Sequence, residues 1–393
     1  MEPITAIRDR LRPFINRQRL VETATSLVGV PSPTGQGGAV ANVLADILER
    51  DGFSVSRPEA GHPSAPAVVV RFDTGRPGRT LQFSGHLDVV HLPFVPPLVN
   101  DGRLTGSGSC DMKSGVAAVV EALRALRDAE ALTAGAILLT AFDLHEAPWG
   151  FSQQLDRLIA DGHVGDAVLI PEPLSDRLPV VGRGQACWKV TIRRPGPPVH
   201  EVMSPPDEPS VIAAGAELVA RLQKLDDRLA SQTDPLAGRS SVFIGQIHSG
   251  EIYNQYPQEC WLEGTRRWLP GGDRKDVERE FRGLVEAVAR DTNTTVETNF
   301  QLVRDAFFLD QTDPVVGAFE SAYQATAGQA LPVGPKPFVD DGNSFWALAR
   351  VPAITHGPLA GGQHTTSEWV AIDDLMRVAL VYAITAVVYC QAR

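Results

Sequence analysis

The chain has 393 residues, of which 43% are apolar, enough to bury more than one hydrophobic core, so two domains are expected. Its net charge of -11 at pH 7 repels phosphate backbones and anionic lipids, and no stretch reaches the roughly 18 consecutive apolar residues of a membrane span, which argues against nucleic acid and membranes as partners. The four cysteines have no Cys-x-x-Cys spacing and the N-terminus has no signal-peptide pattern, so a cytoplasmic protein is expected.

Helical and strand patterns alternate over the first 182 residues. Apolar residues at helical spacing predict one helix over 36–52 and a second that starts near Asp111. Short β-rich runs predict strands at 67–72, 80–85, 136–142 and 166–170. Strands that alternate with helices are typical of a layered α/β sheet with its ligand site at the strand ends.

The pattern changes near Gly184. A strand, a Pro-rich turn, a helix, two strands and another helix near 273–290 predict a compact α+β unit inserted in the chain. After about Asn299 the α/β pattern resumes, and the segment 372–389 is apolar nearly all round, as a buried helix should be. The sequence therefore predicts a larger domain from residues 1–183 and 299–393, and a smaller domain from residues 184–298.

Polar side chains follow several of the predicted strands. The strand at 80–85 leads into His86, with Asp88 two residues on, where a carboxylate can orient an imidazole metal ligand. Alone this is weak evidence, because His-x-Asp often occurs by chance. The segment GSGSCDMKSG then presents Asp111 at a helix start, where a helix N-cap is the simpler interpretation of that residue taken by itself.

Three later segments add donors of the same kind. The strand at 136–142 leads into His145 and Glu146, the strand at 166–170 leads into Glu172, and a Gly-rich loop with few apolar residues carries His364. Carboxylate and imidazole donors at the ends of successive elements favour a pair of zinc ions over calcium, which prefers all-oxygen ligands.

The order of these motifs resembles the aminoacylase, acetylornithine deacetylase and glutamate carboxypeptidase family of di-zinc metallopeptidases. The match runs from His-x-Asp through Gly-x-Gly-x-x-Asp-Met-Lys-x-Gly, an acidic position after a strand and a Glu in a PEP turn to a late His. It implies a layered α/β zinc-hydrolase domain with an inserted α+β dimerisation or lid domain. The implied reaction is hydrolysis of an amide-type C–N bond in an N-acyl or N-carbamoyl amino acid or a small peptide.

The resemblance also implies which residues form the site. Two divalent metal ions are expected, zinc first, with cobalt or manganese as alternatives. Asp88 is expected to orient His86. The five implied metal ligands are Asp111, which bridges both ions, His86 and Glu172 at one ion, and Glu146 and His364 at the other.

In the inserted domain the resemblance implies three functional residues. His200 is expected to reach across a homodimer interface and polarise the scissile carbonyl in the partner's site, although an ordinary turn histidine is the alternative. Asn254 and Arg267 are expected to contact substrate, since arginine can grip a carboxylate with two hydrogen bonds. Arg266 beside it could exchange roles with Arg267.

One position departs from the family's pattern. The family has two consecutive glutamates, of which the first is the general base, and His145 stands at that first position. His145 could be the base, since imidazole can take and return a proton near neutral pH, with Asp143 as a fallback. It could instead be an added metal ligand, or the site could serve only binding, or acyl transfer, cyclisation or deamination. Pocket residues in the segment KPFVDDGNSFW could decide among these reactions. Lys113, which follows Asp111 by two residues, is expected to be solvated.

Overall fold

The computed structural model describes residues 2–391, which divide into two compact units. The first unit contains the chain up to Val180, Leu309–Gly334 and the residues from Asp340 onward. The second contains Val181–Phe308 and Pro335–Val339. Among residues 2–391, no helix combines the length and the hydrophobicity that crossing a bilayer requires.

The helices of the described chain are α1 (Ile4–Leu11), α2 (Arg17–Val28), α3 (Gly38–Arg50), α4 (Lys113–Asp128), α5 (Gln153–Ala160), α6 (Val211–Leu229), α7 (Arg274–Asp291), α8 (Pro314–Ala327), α9 (Asp341–Ser344) and α10 (Ile372–Gln391). The longer strands are β2 (Val68–Asp73), β3 (Thr80–His86), β6 (Ala136–Phe142), β7 (Ala167–Ile170), β8 (Leu178–Gly182), β9 (Gly184–Arg193), β13 (Ser241–Ser249), β15 (Glu259–Trp268) and β16 (Thr295–Arg304). The short strands are β1 (Val55–Ser56), β4 (Leu98–Asn100), β5 (Arg103–Thr105), β10 (Val199–His200), β11 (Thr233–Asp234), β12 (Gly238–Arg239), β14 (Gln255–Tyr256), β17 (Phe307–Phe308), β18 (Val333–Pro335), β19 (Ala353–Thr355), β20 (Ala360–Gly361) and β21 (Trp369–Ala371).

The first unit is built on a six-stranded sheet in the order β1-β2-β6-β3-β7-β19. The neighbours β6, β3, β7 and β19 run parallel, so their carboxyl ends meet at one edge of the sheet. The central strand β3 is buried along nearly its whole length, and its polar Gln82 donates to Thr140 Oγ1 at 2.9 Å. The strands predicted from β-rich runs are confirmed, and the run at 136–142 matches β6 residue for residue.

The helix α10 is buried on nearly every face, because it packs against α8 and α4 and also contacts β3. This explains the apolar character that extends around the whole helix. The predicted helices at 36–52 and near Asp111 correspond to α3 and α4.

The second unit is an antiparallel sheet in the order β13-β15-β9-β16, with α6 and α7 packed on it. Its core includes Trp188, Leu222 and Phe281, all at most 2% exposed. Asn299, where the α/β pattern was expected to resume, lies within β16 and pairs with Lys189 of β9. The second unit therefore extends past this position, because the pairing of β16 with β9 depends on contacts that no local pattern reports.

Candidate metal centre

His86 is the last residue of β3, and its side chain is fully buried. Its Nδ1 lies 2.9 Å from the carbonyl oxygen of Asp88, which can only accept, so Nδ1 carries the proton and Nε2 presents a lone pair. Nε2 faces Asp111 Oδ1 at 3.1 Å and Glu172 Oε1 at 3.6 Å. The structure thus brings together the three groups that the sequence assigned to one ion.

A second group of donors meets on the other side of Asp111. His364 Nε2 lies 3.4 Å from Asp111 Oδ2 and 3.2 Å from Glu146 Oε2. Asp111 therefore presents one carboxylate oxygen to each group, as a bridging ligand must. Hydrogen bonds to Asp111 and Glu146 raise the pKa of His364 to about 10, so these carboxylates attract positive charge to this position.

The spacing of the donors fits zinc. Ligand bonds of about 2.0–2.1 Å at tetrahedral angles separate neighbouring ligand atoms by about 3.3–3.4 Å. The distances from His86 to Asp111 and Glu172, 3.1 and 3.6 Å, and those from His364, 3.2 and 3.4 Å, bracket this value. Burial and the charge of Asp111 also raise the pKa of Glu172 to about 8. A cation would relieve the repulsion between these two carboxylates.

His145 belongs to the first group. Its ring stacks on that of His86 with centroids 3.9 Å apart and planes 7° from parallel. Its Nε2 lies 3.9 Å from Glu172 Oε1, and its Nδ1 lies 2.9 Å from Asp341 Oδ1. His86, His145 and Glu172 form one set of atoms that could hold a metal ion, and His86, Asp111 and Glu146 form another.

Asp88 has a different contact from the one expected. Its carboxylate lies 3.6 Å from His86 Nδ1, while its backbone oxygen makes the shorter contact. The carboxylate accepts from the backbone N–H groups of His145 at 3.0 Å and Glu146 at 3.1 Å. The fully buried Asp88 therefore holds the turn that delivers both of these residues, and orients His86 through its own main chain.

Helix α4 and the segment at Gly357 both approach the backbone of Pro171 and Glu172 closely. A Cβ at Gly115, in the first turn of α4, would lie 2.1 Å from the carbonyl oxygen of Pro171. A Cβ at Gly357 would lie 2.2 Å from the carbonyl oxygen of Glu172 itself. Only glycine permits these approaches, so the small residues after Asp111 have a packing function as well as a conformational one.

Sequence reasoning missed Glu368 and left the contacts of Asp341 open. Glu368 Oε2 accepts from the backbone N–H groups of Cys110 at 3.0 Å and Asp111 at 3.2 Å, and so holds the backbone that carries the Asp111 side chain. Its position four residues after His364, in the same loop, was the available signal. Asp341 offered no signal that would link it to His145, 196 residues earlier.

Asp143 and Lys113 lie close in sequence to the donors, and both make structural contacts with other segments of the first unit. Asp143 accepts from Gly37 N at 2.7 Å and lies 3.2 Å from His62 Nε2, which ties it to the loop before α3. The expectation of a solvated Lys113 is wrong: the side chain is fully buried, its Nζ donates to the carbonyl oxygen of Val30 at 2.8 Å, and burial lowers its pKa to about 7.

The remaining expected site residues lie in the second unit. His200 Nε2 and Asn254 Nδ2 are 3.1 Å apart on its exposed surface. Arg267 lines a cavity of about 220 Å³ together with Arg183 and Lys336, and burial followed by the charge of Arg183 lowers the pKa of Arg267. Arg266 is 2% exposed and donates to backbone oxygens and Glu280, so Arg267 is the one that faces the cavity.

Known proteins are similar in sequence to this chain over most of its length. Succinyl-diaminopimelate desuccinylase of Methylorubrum extorquens is 27% identical over 385 residues, covering 91% of this chain and 96% of that protein. The protein of the same name from Gluconacetobacter diazotrophicus is 27% identical over 380 residues, covering 92% and 94%.

Solved structures share the fold at lower identity. Aminopeptidase PepT from Bacillus cereus has a TM-score of 0.79 at 20% identity, covering 95% of this chain and 99% of that one. Human carnosine dipeptidase 1 has a TM-score of 0.74 at 16% identity, covering 98% and 99%. YXEP of Bacillus subtilis, described as a dinuclear metal-binding peptidase of family M20, has a TM-score of 0.68 at 16% identity, covering 96% and 99%.

The model of "Peptidase family M20/M25/M40" matches residues 82–387, which include every residue of both donor groups. The fold class and the hydrolysis of amide-type bonds implied by the sequence resemblance are confirmed at the level of the family. This chain belongs to peptidase family M20/M25/M40.

Proposed function

We propose that this chain hydrolyses the amide bond of an N-acyl amino acid, a substrate that carries a free carboxylate. The observation that supports this most strongly is the spacing of the donors around Asp111, which fits two zinc ions that share one carboxylate. The relatives named succinyl-diaminopimelate desuccinylase support deacylation over peptide cleavage as the reaction to test first.

His86, Asp111 and Glu172 would hold one ion, and Asp111, Glu146 and His364 the other. When bound, the two ions would polarise the scissile carbonyl and lower the pKa of the attacking water. The remaining steps fall to side chains of the protein itself.

His145 is the residue we propose to move the proton. A carboxylate 2.9 Å from Nδ1 keeps the proton on that nitrogen, so Nε2 has a lone pair directed toward the donor group. Nε2 would take the proton of the water and return it to the nitrogen of the leaving amine. This would maintain the acid–base function at a position where the family's usual glutamate is replaced.

The cavity lined by Arg183, Arg267 and Lys336 supports an acidic substrate. Burial, followed by the charge of Arg183, lowers the pKa of Arg267, and an anion in this cavity would offset both effects. Arginine would grip a carboxylate of the substrate with two parallel hydrogen bonds. Asn254, beside His200 in the same unit, is proposed as a further contact to substrate.

We also propose that the protein is a homodimer formed through the second unit. The strand β13 is an edge strand, and its Phe243 and Ile247 are 62% and 52% exposed. Exposed apolar residues on a sheet edge favour pairing with another chain. Tyr253, next to Asn254 in sequence, is 98% exposed, and His200 would act on the substrate carbonyl in the partner's site. A cytoplasmic location remains a prediction.

The experiment is amine release by the zinc-loaded protein from N-succinyl, N-acetyl and N-carbamoyl amino acids and from dipeptides. We expect turnover of acidic N-acyl substrates and a loss of about 10²- to 10⁴-fold in kcat for His145→Ala. The matched control His163→Ala changes a histidine in the turn after α5 and should keep full activity. Full activity in His145→Ala would move the base elsewhere. No turnover with two zinc ions bound would instead favour a non-hydrolytic binding protein.

A further inference from the structure

We propose that Asp341 is the positioning residue for His145, and that the two together replace the single glutamate found at this place in the family. In this arrangement the histidine supplies the basic atom and the aspartate supplies the negative charge. The inference rests on the proposed function, since it assigns a partner to the proposed base.

The contact is built into a rigid part of the fold. Asp341 is the first residue of α9 and is fully buried. The preceding Asp340 caps this helix: its side chain accepts from Gly342 N at 2.7 Å, and its backbone N–H donates to the side chain of Asn343 at 3.1 Å. A reciprocal cap of this kind fixes the helix start, and therefore the direction of the Asp341 side chain.

Two carboxylates hold His145, one through its imidazole ring and one through its backbone N–H. Asp341 Oδ1 lies 2.9 Å from His145 Nδ1 and also accepts from Ser152 Oγ at 3.2 Å. Asp88 accepts from the backbone N–H of His145 at 3.0 Å. The contact with Asp341 favours the tautomer with the proton on Nδ1, and the ring lies stacked on that of His86.

Charge explains why an aspartate is needed. A neutral imidazole in place of a glutamate removes one negative charge from a site that would bind two divalent ions. The remaining ligands Asp111, Glu146 and Glu172 carry three negative charges against the four positive charges of two such ions. Asp341 returns a negative charge at the distance of one imidazole ring.

The test is a double-mutant cycle on positions 145 and 341, with kcat and KM measured on the best acyl substrate. D341N should lower kcat about 10- to 100-fold in the wild-type background. In the H145E background D341N should leave kcat unchanged or raise it, because two adjacent carboxylates repel each other. This dependence on the residue at position 145 is not expected of a merely structural residue. Equal losses in both backgrounds would overturn the proposal.

A second measurement does not depend on turnover. In zinc-loaded wild-type protein, the ring ¹⁵N shifts of His145, assigned with H145Q, should report a protonated Nδ1. The opposite tautomer would overturn the proposal without any variant of Asp341. In D341N, where the amide can donate as well as accept, the single-tautomer pattern should be lost and the zinc affinity should fall about 10- to 100-fold.

The control is D340N, which makes the same chemical change at the helix cap. It should lower thermal stability but retain the His145 tautomer, since the cap carboxylate accepts from Gly342 and Thr355. Loss of the tautomer in D340N as well as in D341N would mean that any disturbance of α9 suffices, and would count against the assignment. If wild-type protein hydrolyses no substrate, the proposed function fails, while the tautomer and the zinc affinity still decide the role of Asp341.

Discussion

Replacing Gly115 by alanine should damage both the stability of the first unit and the binding of zinc. In an ordinary helix, glycine to alanine stabilises by about 0.5–1 kcal/mol. Here the added Cβ would lie 2.1 Å from the carbonyl oxygen of Pro171. Carbon–oxygen contacts are normally at least about 3.3 Å, so α4 and the segment at Pro171 must move apart by about 1.2 Å.

This movement has two measurable costs. Overpacking of a buried contact typically costs about 1–3 kcal/mol, which outweighs the gain in helix propensity. Glu172 follows Pro171 directly, and ligand distances must be kept within about 0.2 Å, so the zinc affinity should fall at least about tenfold. Urea unfolding of the metal-free protein gives the first quantity and calorimetric titration with zinc gives the second.

The matched control is Gly317→Ala in α8, where an added Cβ meets no atom within 4 Å. It lies in the same unit and should stabilise by about 0.5–1 kcal/mol without an effect on zinc. If Gly115→Ala is as stable as this control and binds zinc as tightly as wild type, the close approach does not constrain the site and the reasoning is refuted.

Two further predictions concern metal loading and acid stability. Asp111→Ala should abolish binding of both ions, because it removes the ligand common to the two donor groups; retention of two zinc ions per chain by metal analysis would contradict the assignment. Burial and the charge of Arg377 lower the pKa of His356 from 6.5 to about 3. The unfolded chain therefore binds more protons than the folded chain between these two pKa values. The contribution of neutral His356 to the free energy of unfolding is complete above pH 6.5 and is lost as the pH falls toward 3. His356→Gln should make the loss of unfolding free energy in that range shallower by up to about 1.4 kcal/mol per pH unit, as measured by urea unfolding.

Three of the predicted donors lie close together because their placement follows from local patterns. His86 ends β3, Glu146 follows β6 and Glu172 follows β7, and these neighbouring strands are parallel. Once each strand is recognised from its apolar run, the meeting of their carboxyl ends is a geometric necessity. His364 could be assigned only by resemblance, since it lies in a loop outside any periodic element.

Lys113 shows where local reasoning fails. A lysine at a helix start is normally solvated, but here the preceding turn directs it inward to the carbonyl oxygen of Val30. The turn is closed over it by Gly108, where a Cβ would lie 2.9 Å from the lysine side chain. Its burial depends on two segments distant in sequence, one at Val30 and one at 108–113, and no pattern in either of them reports it.

The replacement of glutamate by His145 could be recognised from sequence, but its consequence could not. Seen alone, the substitution removes a charge and shortens the basic arm, which favours a loss of hydrolysis as much as its retention. The contact with Asp341 changes that balance, because it fixes the tautomer and restores a negative charge next to the site. A change at one position of a metal centre therefore has to be interpreted together with the charges around it, and in this chain the relevant one comes from the start of a helix 196 residues away.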